Sequence, residues 1–254
     1  MGVISDNFTL FIKNHPCKSQ FRHHDHRKSE SSYNPQDSNT RFITEDPPRH
    51  EMSKSRLAII LSKLKRIPDP DVEMEQYPTP SEAAAAILWD AHMRGLIEGK
   101  RILDLGAGTG ILGIGALLLG ARHVTFVEKD ERLKKLIEEN LKIADAEEGS
   151  YDIVIGDATK YEGSADLVLT NPPFGTKEAG ADLRFLETAY EAAPECYSFH
   201  KTSTDNHLQE WLSKRKLHPL QGIRFTFNLP NTMRFHGKKA HHVQVTCWHA
   251  RKDL

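Results

Sequence analysis

A chain of 254 residues with 34 Lys+Arg, 35 Asp+Glu and 38% hydrophobic residues carries enough apolar content for one large core or two small ones. The net charge of −1 excludes a generally basic nucleic-acid coat, so any nucleic-acid contact must be a local patch. The longest apolar run, 111–121, is 11 residues broken by glycines, too short for a bilayer span, and no secretory-type leader precedes it. Cys17, Cys196 and Cys247 are odd in number, far apart and never spaced C-x-x-C. They point to a reducing, cytoplasmic setting and away from a disulfide framework or zinc ribbon.

In chain order, residues 1–51 read differently from the rest: 12 of the 51 are hydrophobic, and 7 basic side chains cancel 7 acidic ones. Such a stretch buries too little apolar surface to offset its ordering entropy, so a disordered extension is expected. His23, His24 and His26 gather around Asp25 there, but nothing fixes a ligand geometry, and a solvated polar tail is the plainer expectation. From Met52 the chain becomes periodic, and residues 52–254 are expected to form one domain. Leu57, Ile60, Leu61 and Leu64 predict an amphipathic helix that Pro68 and Pro70 end. Thr79-Pro80-Ser81-Glu82 reads as a capping box opening an alanine-rich helix up to Gly95. Strands are then expected at 101–105, 123–128, 151–155, 166–170 and 196–199, alternating with helices at 111–119, 130–144, 182–192 and 204–214. Two last apolar stretches, 223–229 and 242–248, look like an antiparallel pair. The alternation predicts an α/β doubly wound sheet, mostly parallel with antiparallel C-terminal structure, and a ligand at the strands' carboxyl ends.

The first strand runs into Asp104-Leu105-Gly106-Ala107-Gly108-Thr109-Gly110, directly before a helix. Glycines there permit a tight turn and close backbone approach to a flat ligand. The dinucleotide fingerprint requires a glycine where this chain has Ile111, so the loop departs from the NAD pattern and matches the G-x-G-x-G of S-adenosylmethionine-dependent methyltransferases. Glu128 ends the second strand, where a carboxylate can accept both ribose hydroxyls, or else merely starts an exposed loop. Asp157 follows the third strand, placed to hydrogen-bond an adenine amino group or simply to form a turn.

The fourth strand leads into Asn171-Pro172-Pro173-Phe174-Gly175. Two prolines after a strand rigidify the backbone and stop both ladder and helix. The turn suits methylation of a nitrogen conjugated to a ring or carbonyl, whose lone pair is delocalised. The Asn171 side-chain oxygen and the Pro172 carbonyl would each accept one N–H, turning the lone pair toward a sulfonium methyl, while Phe174 stacks on the base. Catalysis of this kind is positioning and carbonyl dipoles, with no general base required before transfer. Adenine N6, cytosine N4 and a glutamine amide satisfy the same geometry.

Further residues narrow the choice: Glu75-Gln76-Tyr77-Pro78-Thr79, the run through Gly175, Thr176 and Lys177, Asp182, Phe185-Leu186, Thr188-Ala189, Tyr197-Ser198, His200-Lys201, Ser203-Thr204, Phe235-His236 and Lys238-Lys239. In combination, residues 52–254 resemble the methyltransferase-like protein 5 family, including archaeal members. The resemblance implies a class I methyltransferase sheet and an N6-adenosine methyltransferase acting on small-subunit ribosomal RNA. It implies catalysis by Asn171, Pro172, Pro173 and Phe174, with S-adenosylmethionine held by Gln76, Thr79, Gly106, Thr109, Ile111, Glu128, Asp157 and Ala158; Asp104, Gly108 and Gly110 are added as cofactor contacts from the glycine loop itself. The strand-two acid is often Asp in human-like members, and Glu128 is one methylene longer; the leader 1–51 has no family counterpart and is read as an upstream extension. A small zinc-binding methyltransferase-activator subunit is also implied, on the sheet-edge strand 151–155, whose Ile153, Val154 and Ile155 make an apolar edge suited to strand addition.

Residues 171–254 carry 12 Lys+Arg against 8 Asp+Glu with 7 histidines, whereas 52–170 carry 15 against 20. A positive half bearing the catalytic turn suits phosphate contacts, with Arg234, Lys238 and Lys239 as candidates, although an ordinary solvated surface has the same charges. The rival readings are a protein glutamine-N5 methyltransferase, for which 52–100 looks too short to be the usual substrate domain, and a non-catalytic RNA-binding protein on the same fold.

Overall fold

The computed structural model describes residues 10–11, 52–68, 77–174, 180–229 and 241–253. Gln76, Cys17, the His23–His26 cluster, Gly175–Lys177, Arg234, Phe235-His236 and Lys238-Lys239 lie outside the described residues, as does most of the leader. The strands are β1 (Leu10–Phe11), β2 (Arg101–Leu105), β3 (His123–Glu128), β4 (Tyr151–Ile155), β5 (Leu167–Thr170), β6 (Glu195–Lys201), β7 (Leu217–Leu229) and β8 (His241–Lys252). The helices are α1 (Lys54–Ser62), α2 (Ser81–Met93), α3 (Ile111–Leu118), α4 (Arg132–Ile143), α5 (Ala181–Ala192) and α6 (Asp205–Lys214).

The strands form one sheet in the order β1-β7-β8-β6-β5-β2-β3-β4. β4, β3, β2, β5 and β6 run parallel, whereas β8 is antiparallel to β6 and β7, and β1 pairs antiparallel with β7 through Leu10–Ile223 and Phe11–Gly222. This is the doubly wound, mostly parallel sheet with antiparallel C-terminal strands that the alternation predicts. The order turns about β2 and β5, so the loops after these two strands open into one crevice at their carboxyl ends.

Strand periodicity sorts the core into two layers. Ile102, Leu167 and Leu169 join Leu57, Leu61, Leu88, Ile114 and Phe126 on one face. Leu103, Leu105 and Val168 join Leu186, Tyr190, Trp211 and Leu212 on the other. Both faces are covered, which is why these strands read as continuous apolar runs rather than alternating ones. Among the described residues, no helix is long and apolar enough to cross a membrane. Cys196 and Cys247 are buried free thiols.

β4 lies at the sheet edge, with Val154 37% and Ile155 38% exposed. The start of α2 departs from expectation. Pro80 is its N-cap, and no side chain caps it. The Thr79 hydroxyl is committed instead to Asn171, 92 residues further on. The capping-box reading therefore fails: Pro80 takes the N-cap position and leaves Thr79 one residue before it, so a cap worth about 1 kcal/mol is not made.

Candidate active site

Two chain turns meet in the crevice. In the first, Gly106, Gly108 and Gly110 adopt φ of +71°, +57° and +79°. These are left-handed conformations that side-chain-bearing residues rarely adopt. The amides of Gly106 and Ala107 both donate to the Val127 carbonyl at 2.9 and 3.0 Å, tying the loop to the end of β3. A side chain at Gly106 would also meet the Phe185 ring, its Cε1 only 2.9 Å from the first added carbon. Glu128 reaches back from β3, buried at 7% exposure. Its Oε2 accepts from Gly108 N at 2.8 Å and its Oε1 from Asp130 N at 3.0 Å. The acid is thus built into the glycine loop rather than exposed.

Asp104 is 1% exposed, and its Oδ2 accepts from Gly113 N at 2.8 Å. Burial pushes its carboxyl up to about 8, against the lowering Gly113 bond and with some help from the Glu128 charge. Asp157 accepts from the amide and hydroxyl of Thr159 at 3.0 and 2.8 Å. Slight desolvation raises its pKa, but those bonds outweigh it and hold the carboxyl below its ordinary value.

The second turn follows β5. Thr170 Oγ1 donates to the Leu105 carbonyl at 2.8 Å, locking the two strand ends together just before the glycine loop and the proline turn. Asn171 Nδ2 donates to the Tyr77 carbonyl at 3.2 Å and to Thr79 Oγ1 at 3.0 Å. Asn171 Oδ1 is buried and has no hydrogen-bond partner among the described residues. Phe174 differs from an open stacking platform. It is 8% exposed, its ring stacks on Tyr77 at 5.9 Å and 18°, and Lys201 Nζ lies 5.9 Å from its centroid. A base stacking on it requires one of these neighbours to yield. Below Lys201, the buried His200 meets Asp182 Oδ2 at 3.3 Å and Ser198 Oγ at 3.0 Å, anchoring the start of α5 to β6.

A cavity of about 460 Å³ joins the two turns. Of the sequence-predicted residues, Thr79, Asp104, Gly106, Gly108, Thr109, Ile111, Glu128, Asp157, Ala158, Asn171 and Pro173 line it. Gly110, Pro172 and Phe174 are not among its walls. The residues present suit an adenosine-bearing methyl donor: a glycine-rich loop at a helix start, the buried Glu128 carboxyl at the end of β3, and an acid beyond β4. Among the described residues no cluster of three or more potential metal ligands occurs.

Sequence reasoning missed several members. Lys129, Lys160 and Arg184 bring positive charge to the cavity wall. Asn140, wholly buried on α4, donates to the Thr109 carbonyl at 2.9 Å and the Lys65 carbonyl at 3.1 Å, and accepts from Lys65 N at 2.7 Å. It clamps the glycine loop to the segment after α1. Its signal was legible: an asparagine on the apolar stripe of Leu133, Ile137 and Leu141 must find buried partners.

The conserved hypothetical protein 95 family pattern matches residues 63–221. The rRNA N(6)-adenosine-methyltransferase Mettl5 of Drosophila melanogaster is 37% identical over 193 residues, covering 70% of this chain and 87% of that protein. The rRNA N(6)-adenosine-methyltransferase METTL5 of Danio rerio is 33% identical over 201 residues, covering 76% and 96%. PH1948 from Pyrococcus horikoshii, a candidate RNA methyltransferase, superposes with a TM-score of 0.74 at 37% identity, over 80% of this chain and 99% of that one. With its glycine loop, proline turn and sheet order, the chain belongs to the conserved hypothetical protein 95 family and to the METTL5 methyltransferases.

Proposed function

We propose that this chain transfers a methyl group from S-adenosylmethionine to the N6 amino group of an adenosine in ribosomal RNA, specifically that of the small subunit. The observation that carries the reading is Asn171, which lines the cavity: its amide nitrogen is engaged twice, while its buried oxygen has no partner among the described residues. A buried acceptor of that kind costs about 1–3 kcal/mol, and an incoming N–H would relieve it. The rRNA N(6)-adenosine-methyltransferase relatives favour adenosine over cytosine or a glutamine amide.

Glu128 and Asp157 would hold the ribose hydroxyls and the adenine of the donor, and the loop from Gly106 to Ile111 would admit its backbone-close approach. The bound donor supplies an electrophilic sulfonium methyl. Asn171 Oδ1 and the Pro172 carbonyl would each accept one hydrogen of N6, pulling its lone pair out of conjugation and into line with that methyl. Neither acceptor would take a proton from N6 beforehand, so the nitrogen would release its proton to solvent only after receiving the methyl. Phe174 would hold the base from its face. Arg234, Lys238 and Lys239 are proposed phosphate contacts. The exposed apolar edge at Val154 and Ile155 is the proposed seat of a small zinc-binding activator subunit, joined by strand addition. Two buried free thiols fit a reducing, cytoplasmic setting.

Incubating the protein with S-adenosylmethionine and small-subunit rRNA, then resolving digested nucleosides by mass, tests the assignment. N6-methyladenosine is expected. Methylcytidine, methylglutamine in co-incubated protein, or no product in the presence of the activator would overturn it.

A further inference from the structure

The segment just before α2 touches both ends of the catalytic turn. The Tyr77 carbonyl and the Thr79 hydroxyl take the Asn171 amide nitrogen, and the Tyr77 ring stacks on Phe174. We propose that Thr79, with Tyr77, is the positioning device that fixes which end of the Asn171 amide faces the target nitrogen. The inference rests on the proposed amino-group methylation and deepens it.

The orientation follows from donor chemistry. A backbone carbonyl can only accept, so Tyr77 selects the NH2 end of Asn171, and Oδ1 is necessarily the end left over. Rotation of the amide by half a turn swaps two groups of nearly the same shape, so sterics alone discriminate poorly between them. The flipped amide would present N–H to the N–H of the substrate and stop the reaction. The Tyr77 carbonyl removes that ambiguity before substrate arrives, and the Thr79 hydroxyl holds the second hydrogen of the same NH2 group in place. Thr79 stands one residue before the Pro80 N-cap of α2, where its hydroxyl is available to the catalytic turn. The hydroxyl accepts from Asn171 and keeps its own hydrogen to donate elsewhere, and Thr79 also lines the cavity.

Thr79→Val keeps the shape and removes the acceptor; Thr79→Ser keeps the acceptor. Turnover on RNA at saturating S-adenosylmethionine should fall about 10-fold in the valine variant, with the KM for RNA within about 3-fold of wild type. Serine should restore turnover to within about 3-fold. Independently of activity, the ¹⁵N-labelled Asn171 side-chain amide, assigned by its disappearance in Asn171→Ala, should exchange its hydrogens about 10-fold faster in Thr79→Val. An unchanged amide, wild-type turnover in Thr79→Val, or no rescue by serine would each overturn the proposal. If wild type methylates no RNA, the assignment of function fails separately, and amide exchange still decides the positioning claim.

Discussion

The glycine-loop side and the proline-turn side of the cavity solve opposite problems. Glu128 spends both carboxylate oxygens on backbone amides of Gly108 and Asp130, so this wall is held in shape by the chain itself. Asn171 holds its nitrogen equally firmly but leaves its oxygen without a partner among the described residues. The first wall is a finished cradle, and the second is a finished posture with one bond still to make. Damage to the cradle should therefore appear as lost affinity for the donor, and damage to the posture as lost turnover.

The largest expected effect is at the posture: Asn171→Ala should lower methyl transfer on the order of 100-fold or more. On the cradle side, Glu128→Gln keeps the shape but replaces one acceptor oxygen by a donor group facing a backbone N–H. Calorimetry should show donor affinity weakened about 10–100-fold, with turnover at saturating donor much less affected.

Phe174→Ala should weaken RNA capture by about 1–3 kcal/mol, read as KM, if a base displaces Tyr77 or Lys201 to stack. A pH dependence distinguishes Asp104. Its carboxyl is raised in the fold to about 8, so it favours folding when protonated, and that contribution is lost as pH climbs from about 4 to about 8. The ligand-free protein should thus lose melting temperature with rising pH across that window, and Asp104→Asn should flatten the slope. The smallest effect concerns the leader. Of residues 1–51, only Leu10 and Phe11 are described, paired with two positions of β7. A chain starting at Met52 should melt within about 2 °C of the full chain by calorimetry.

Much of this was legible beforehand, and for stated reasons. β2 and β3 fall on the predicted ranges because buried parallel strands are short apolar runs bounded by polar turns, and β4, though an exposed edge strand, is a short β-branched run with the same kind of ends. The glycine loop and Asn171 were legible because their chemistry depends on residue type and local order. What escaped was long-range pairing. Thr79 looked like a cap because capping is a local pattern, and nothing local signals a partner 92 residues away. Lys129, Lys160 and Arg184 reach the cavity only once the sheet is assembled, since they come from the loop after β3, the turn after β4 and α5. Phe174 could be named from its motif, but its burial against Tyr77 depends on how the segment before α2 packs.

The division between the two walls is tested most directly by measuring one variant twice. Asn171→Ala should show methyl transfer to rRNA adenosine reduced at least about 100-fold while calorimetric affinity for S-adenosylmethionine stays within about 3-fold of wild type. Transfer at the wild-type rate, or affinity and transfer collapsing together, would contradict the account.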